Sequence, residues 1–365
     1  MAETKPLAAP SAANTTIHQK VGIPVDLIRS VGIFLVILLH VSIQPVSIPS
    51  NISLTTAWWA FDFYNSIARP CVPLFVMLSG YLLLQPSKVN EPLRVFFKKR
   101  WARIGLPFIF WGVIYFVWTM AFDGVTFSLN SVVQSLLQGP YVTFWYLYML
   151  VGLYLLTPIL RVFMAYASDH VMEFVLVVWF IGTGLVPLAG LMGLDLNGNV
   201  FILPGWIGYF LFGGYLPKLR TAMRSWKLYG LMAFGLSWTM LGSAFMEIDP
   251  GPQLYFFFDY LTANVIIVSV ALFVLLSSVS LRSFENQPSW AKRLVHVVGQ
   301  NSLPIYLFHM LLLEAFQKGL FGFNLTIMSF NPVIMTPLLS VIILFLSVGL
   351  IVPLKRVPYL KRLIG

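Results

Sequence analysis

Ten stretches of about 20 predominantly apolar residues follow one another along this chain, and that is the length an α-helix needs to cross a bilayer. Their approximate limits are 25–43, 58–84, 104–122, 142–162, 171–191, 200–217, 228–246, 255–279, 302–319 and 333–354. Inside hydrocarbon the backbone has no water to bond, so a chain of this pattern must satisfy its polar groups within helices. Only 10% of the 365 residues are charged, against about 25% in soluble domains. The expected fold is an all-α polytopic membrane protein with ten transmembrane helices.

The charges test that count. With the amino terminus inside and the spans alternating, 21 of the 23 lysines and arginines fall in inner segments, as the positive-inside rule requires. Omitting one helix would swap every later loop, so both termini are expected to be cytoplasmic. The two basic residues left over are Arg69, inside the second span, and Lys318, near the outer end of the ninth. The net charge of +10 is accounted for by this topology and does not call for nucleic acid. Residues 1–24 are rich in Ala, Pro, Ser and Thr and read as a disordered cytoplasmic tail, with no signal-peptide pattern. Residues 25–354 form the membrane domain, and 355–365 a basic cytoplasmic tail. The single cysteine, Cys71, excludes a disulfide framework and a cysteine-based metal site, and no metal is expected. No internal repeat is visible, which weighs against a secondary transporter. Pro70 and Pro73 are expected to interrupt the second span and Pro304 the ninth.

The first span carries the most informative polar groups. Arg29 and His40 are eleven residues apart, so they differ by about three turns plus roughly 20° and share one helix face, separated by about 16 Å of rise. Asp26, three residues before Arg29, lies on the same side. Ionisable groups in membrane helices face the protein interior or a wet cavity. The stripe therefore predicts a tunnel, with a cation at its inner mouth and an imidazole deeper in. Arginine binds phosphate by a forked, charge-assisted contact, and a histidine can act as general base or carry an acyl group. One extended substrate can serve both: an acyl-CoA, with phosphates at one end and a thioester at the other. Arg100 and Arg103, three apart on one face, are candidates for the nucleotide phosphates. Lys98 and Lys99 read as topology and headgroup contacts.

Arg69 has no topological explanation. It pairs with Asp62, seven residues earlier, or else orients the acceptor or stabilises oxyanion charge near His40. Glu314 and Lys318 read as a structural pair near the outer end of the ninth span. His18, His170 and His296 fall in the tail or loops and receive no catalytic role; His309 lies within a span. P-loop, H-E-x-x-H, G-x-S-x-G and dinucleotide fingerprints are absent. A polysaccharide or lipid-glycan exporter would suit a wet polar cavity equally well. Drug efflux fits less, because acidic residues within the spans are few.

Five segments in order resemble acyltransferase family 3, integral membrane acyltransferases, in bare membrane-domain form. They are Asp26-Leu-Ile-Arg29 with His40; Val72-Pro-Leu-Phe-Val-Met-Leu-Ser-Gly-Tyr81 with Arg69 upstream; Phe97 through Arg100 and Arg103 to Pro107; Trp145 through Tyr154 to Pro158; and Asn301-Ser-Leu-Pro-Ile-Tyr306-Leu-Phe-His309. The resemblance runs from Asp26 to about Val352. It implies transfer of an acyl group, most often acetyl from acetyl-CoA, to a hydroxyl of a glycan, a lipid-linked saccharide or another cell-envelope molecule, in the plasma or inner membrane. It implies that Arg29 and His40 are essential and supports roles for Arg69, Arg100 and Arg103. Lys99 departs from the pattern, since many members have a second arginine there. The chain stops just past the tenth span, so the esterase-like domain some members append is expected to be missing.

Overall fold

The computed structural model describes residues 23–43, 54–194, 205–219, 225–249, 253–280 and 286–365, and among these there is no strand. The expected disordered tail over 1–24 lies outside the described residues, apart from Ile23 and Pro24. The chain opens with α1 (Val25–Ser42). A second stretch is built from α2 (Thr56–Ala68) and α3 (Cys71–Leu83). They join at Arg69 and Pro70, where the helix is broken as expected of Pro70; Pro73, also expected to interrupt, sits in the first turn of α3 and does not. The third combines α4 (Leu93–Arg100), a π-turn at Trp101–Gly105, and α5 (Leu106–Phe122). Then come α6 (Leu129–Gln138), α7 (Trp145–Tyr166), α8 (Asp169–Phe180), a second π-turn at Ile181–Leu185 and α9 (Val186–Leu191). The remainder is α10 (Gly205–Leu219), α11 (Ser225–Ile248), α12 (Ala263–Ser278), α13 (Ser289–Gln300), α14 (Ser302–Gln317), α15 (Pro332–Leu354) and α16 (Pro358–Ile364).

Local chemistry explains several boundaries. Ser168 caps α8 by accepting from the Val171 N–H at 3.3 Å, and Asn331 caps α15 with Pro332 in its first position, the residue types those sites favour. At each π-turn the backbone reaches one residue further back, Leu106 to Trp101 and Val186 to Ile181. In both cases a proline with no N–H to give comes next, Pro107 and Pro187. Pro304 differs from expectation: it sits in the first turn of α14, where its missing N–H costs nothing, and does not interrupt the helix.

Among the described residues eight helical stretches are long and apolar enough to cross a membrane. α10 and α14, read in the sequence as the sixth and ninth spans, are shorter, at 15 and 16 residues. Both nevertheless run lengthwise through the bundle. α10 lies antiparallel to α8, with Lys218 paired to Asp169 at one end and the Trp179 Nε1–H donating to Gly205 O at 2.7 Å at the other. α14 runs parallel to α5: the Tyr115 hydroxyl donates to Leu307 O at 2.8 Å and the Trp118 Nε1–H to Glu314 Oε2 at 2.6 Å. Large apolar side chains such as Val113, Val117, Phe234, Leu241, Phe245, Ile334 and Phe345 are left on the outside, as expected when lipid is the solvent.

α3 and α10 meet through glycines. A Cβ on Gly80 would collide with the Phe210 carbonyl, and one on Gly213 with the Met77 carbonyl; small residues of this kind let membrane helices approach closely. Valine at Gly213 must push backbone against backbone. The Gly213→Val protein is expected to lose about 1–3 kcal/mol, read as a lower unfolding temperature in detergent. An unchanged midpoint would contradict this packing.

Within the basic segment expected after residue 354, 358–364 form a docked helix: Ile364 is buried, and the Trp111 Nε1–H donates to its carbonyl at 3.3 Å. Pro358 starts the helix, and the apolar residues between the charges supply the contact.

Candidate functional site

A cavity of about 230 Å³ opens between α1, α3, the π-turn before α5, α7 and α14. Roughly 10–15 Å³ suffices for one water, so this space is much larger than a packing fault. Its lining includes Arg29, Lys88, Arg100 and Arg103, and no carboxylate. Arg103 is exposed and marks the mouth; Arg100 is half-buried; the Arg29 side chain is 15% exposed. The expected grouping of Arg29 with Arg100 and Arg103 is therefore present. It arises because Arg29 lies in the second turn of α1, and Arg100 and Arg103 lie where α4 meets the π-turn before α5.

Each cation is held differently. Asp26 accompanies Arg29 as expected, and both its oxygens are also held by α13: His296 Nδ1 lies 2.8 Å from Oδ2 and the Gln300 Nε2–H donates to Oδ1 at 2.9 Å. Arg29 reaches it only at 3.8 Å and keeps its hydrogen-bonding capacity for the cavity. The Arg100 guanidinium rests over the rings of Phe96 and Tyr154, at 5.6 and 5.7 Å, and its buried Nε has no partner. An orphaned charged donor beside an empty space is costly and fits an anionic ligand. Lys88 donates to Leu82 O at 2.5 Å; burial and then the Arg161 charge hold its ammonium below the usual lysine range.

Away from the mouth the cavity ends on aromatic rings. Tyr146 and Tyr306 both line it, 5.2 Å apart between centroids, and Tyr306 is fixed by donating to Thr143 O at 2.5 Å. Behind Tyr306, at 6.0 Å, is the ring of His309. His40 and Arg69 are not among the lining residues. The continuous stripe expected along α1 is thus divided, with Arg29 on the cavity side of the tyrosines and His40 on the other.

His40 and His309 face each other with ring centroids 5.0 Å apart. The hydrogen bonds assign both tautomers. His40 Nδ1 is 2.8 Å from Val36 O and must carry the proton. His309 Nδ1 is 2.7 Å from Tyr306 O and must do the same, so its Nε2 presents a lone pair to His40 Nδ1 at 3.3 Å. The remaining nitrogen, His40 Nε2, makes no hydrogen bond to another described residue and is the one available for proton transfer. No role for His309 is legible in the sequence. A histidine inside an apolar run was the only signal, and nothing in the sequence shows that it meets His40.

Arg69 sits at the α2–α3 break. Its Nε–H donates to Asn65 Oδ1 at 2.8 Å, its guanidinium lies 5.0 Å from the Phe258 ring and 5.5 Å from that of Tyr260, and its charge reaches His40. The structural pair with Asp62 is not formed: Asp62 is fully buried and accepts from Ser243. Nor do Glu314 and Lys318 pair. Glu314 accepts from Trp118 and Tyr141, and Lys318 binds Asp123 at 2.7 Å. In both cases a neighbouring helix offers a partner that spacing along one helix cannot reveal.

A family description, that of an acyltransferase domain, matches residues 24–356 of this chain. No curated protein and no solved structure matches it.

Proposed function

Because the chain belongs to acyltransferase family 3, a family of membrane acyltransferases, we propose that it moves an acyl group, in the first place acetyl, from acyl-CoA to a hydroxyl of a cell-envelope glycan or lipid-linked saccharide. In this reading it is a ten-crossing protein of the plasma or inner membrane with both termini cytoplasmic. The antiparallel run of α10 along α8 and the parallel run of α14 along α5 support ten crossings, since α1, α5 and α14 then all enter from the side where the cationic mouth lies.

The observation that carries the proposal is the cavity. Three arginines from two separate parts of the chain converge on it without a carboxylate, and one has an unpartnered buried donor. That is a site for a polyanion. Arg29, Arg100 and Arg103 hold the phosphates of the donor, whose arm extends toward Tyr146 and Tyr306. Beyond these rings His40 Nε2 accepts the proton of the acceptor hydroxyl as it attacks the thioester carbonyl, and returns that proton to the departing thiolate. Thioester and alcohol thus become ester and thiol, with His40 restored. His309 keeps the His40 Nδ1–H oriented and shares the positive charge of the transient imidazolium. Arg69, braced by Asn65 and two rings, stabilises the negative charge on the carbonyl oxygen.

Arg29→Ala should weaken coenzyme A binding about 10–100-fold, the value of a charge-assisted hydrogen bond. Arg29→Lys, which keeps the charge and loses the fork, should fall between. Titration calorimetry on the purified protein reads both. Wild-type affinity in the alanine variant would remove Arg29 from the donor site, and no coenzyme A binding by the wild type would favour the exporter.

A further inference from the structure

One carboxylate stands close enough to the cationic cavity to cancel part of its charge, and the fold holds it back. Asp26 lies in the first turn of α1, where a helix N-terminus favours negative charge. Arg29, which lines the cavity, follows three residues later on the same face. Side chains at this spacing can close a direct ion pair. These two stop short of it: Arg29 Nη1 is 3.8 Å from Asp26 Oδ1, beyond hydrogen-bond length.

The reason lies on α13. His296 Nδ1 is 2.8 Å from Asp26 Oδ2, and because a carboxylate only accepts, that nitrogen carries the proton. The Gln300 Nε2–H donates to Oδ1 at 2.9 Å. The two residues are four apart and share a helix face, so they grip both oxygens at once. The same stretch of α13 is seated on α1. The Ser30 hydroxyl donates to Val295 O at 2.8 Å, and a Cβ on Gly299 would stand 2.6 Å from Asp26 O. Helix packing therefore fixes the grip. At Asn301 the chain passes from α13 into α14, whose first residues, Ser302 and Leu303, line the cavity themselves.

We propose that His296 and Gln300 are positioning residues for the donor site. By holding both oxygens of Asp26 they stop it from closing on Arg29, and so keep that guanidinium available to an anionic ligand. This rests on the acyl-CoA reading above and deepens it. Neither residue lines the cavity, so their effect on the donor travels through Asp26. Without them Asp26 and Arg29 close into a charge-assisted pair, which the donor phosphates must break in order to bind.

The test is calorimetric titration of the full-length protein with coenzyme A, as a double-mutant cycle. The His296→Ala/Gln300→Ala variant should bind it about 3–10-fold more weakly, the value of one hydrogen bond that must first be broken. Adding Asp26→Asn to that variant should restore wild-type affinity, because no carboxylate is left to compete for Arg29. His296→Asn, whose amide nitrogen replaces Nδ1, should keep wild-type affinity with Gln300 intact. Should the double variant fail to fold, His296→Ala alone, compared with and without Asp26→Asn, gives the same reading. A loss that persists when Asp26 is also asparagine would mean that α13 acts by structure alone, and would overturn the proposal. Unchanged affinity without the two side chains would overturn it as well, and would leave the acyl-CoA reading standing. Failure of the wild type to bind coenzyme A would remove that reading and this proposal together.

Discussion

Alanine in place of His40 will lower acyl transfer by about 10²–10⁴-fold, the contribution of a positioned general base, in protein that still folds and inserts. Among the described residues His40 combines a free ring nitrogen with a second nitrogen pinned by two partners, Val36 O and His309 Nε2. Removing the ring removes the proton carrier and leaves Arg29, Arg100 and Arg103 untouched, so coenzyme A binding should stay at the wild-type level. His309→Ala should cost less, because Val36 O still orients His40 when the second imidazole is gone. Radiolabelled acetyl transfer into native membranes, normalised to the amount of protein present, measures both. Undiminished transfer by the His40 variant would falsify the mechanism.

Leucine in place of Arg161 should destabilise the protein by about 1–3 kcal/mol, the cost of leaving buried carbonyls without their donor. The sequence reading counted this arginine among the inner topology charges, yet it is 3% exposed. Its Nε–H donates to Leu83 O at 2.8 Å and an Nη1–H to Lys88 O at 3.2 Å, while Nη1 lies 3.0 Å from Glu91 Oε2. The guanidinium also covers the Phe96 ring at 4.6 Å. It thereby ties the end of α3, the following turn and the start of α4 to α7. In the variant, carbonyls lose buried donors, and Glu91 stays ionised because the Lys99 hydrogen bond holds its carboxyl below the usual range. Lys88 and Arg100, on either side of this turn, both line the cavity, so donor affinity should fall along with the unfolding temperature. A variant as stable as the wild type would show that Arg161 is no more than a loop charge.

The apolar runs and the basic loops made the helical membrane architecture legible, because burial in lipid imposes length and charge rules on each segment separately. The same one-dimensional rules brought Arg29, Arg100 and Arg103 to one surface. Partners drawn from distant helices escaped them. Asp26 is within ion-pair distance of Arg29, as the spacing suggests, but its hydrogen bonds come from His296 and Gln300. Asp62 looked paired with Arg69 and is held by Ser243. His309 gave no sign of facing His40. The docking of α16 was hidden for a different reason: seven residues with two basic side chains are judged by charge, although Ile364 decides where they pack. The expected open tunnel is interrupted at two residues, Tyr146 and Tyr306, whose rings meet from α7 and α14.

The central claim is that a donor held by its phosphates at Arg29, Arg100 and Arg103 extends past Tyr146 and Tyr306 to His40. A density map of the full-length protein with coenzyme A bound tests it most directly. The account predicts phosphate density among the three arginines, displaced tyrosine rings, and the terminal sulfur beside His40 Nε2. A sulfur that stops on the cavity side of the two tyrosines, or phosphates bound elsewhere, would contradict it.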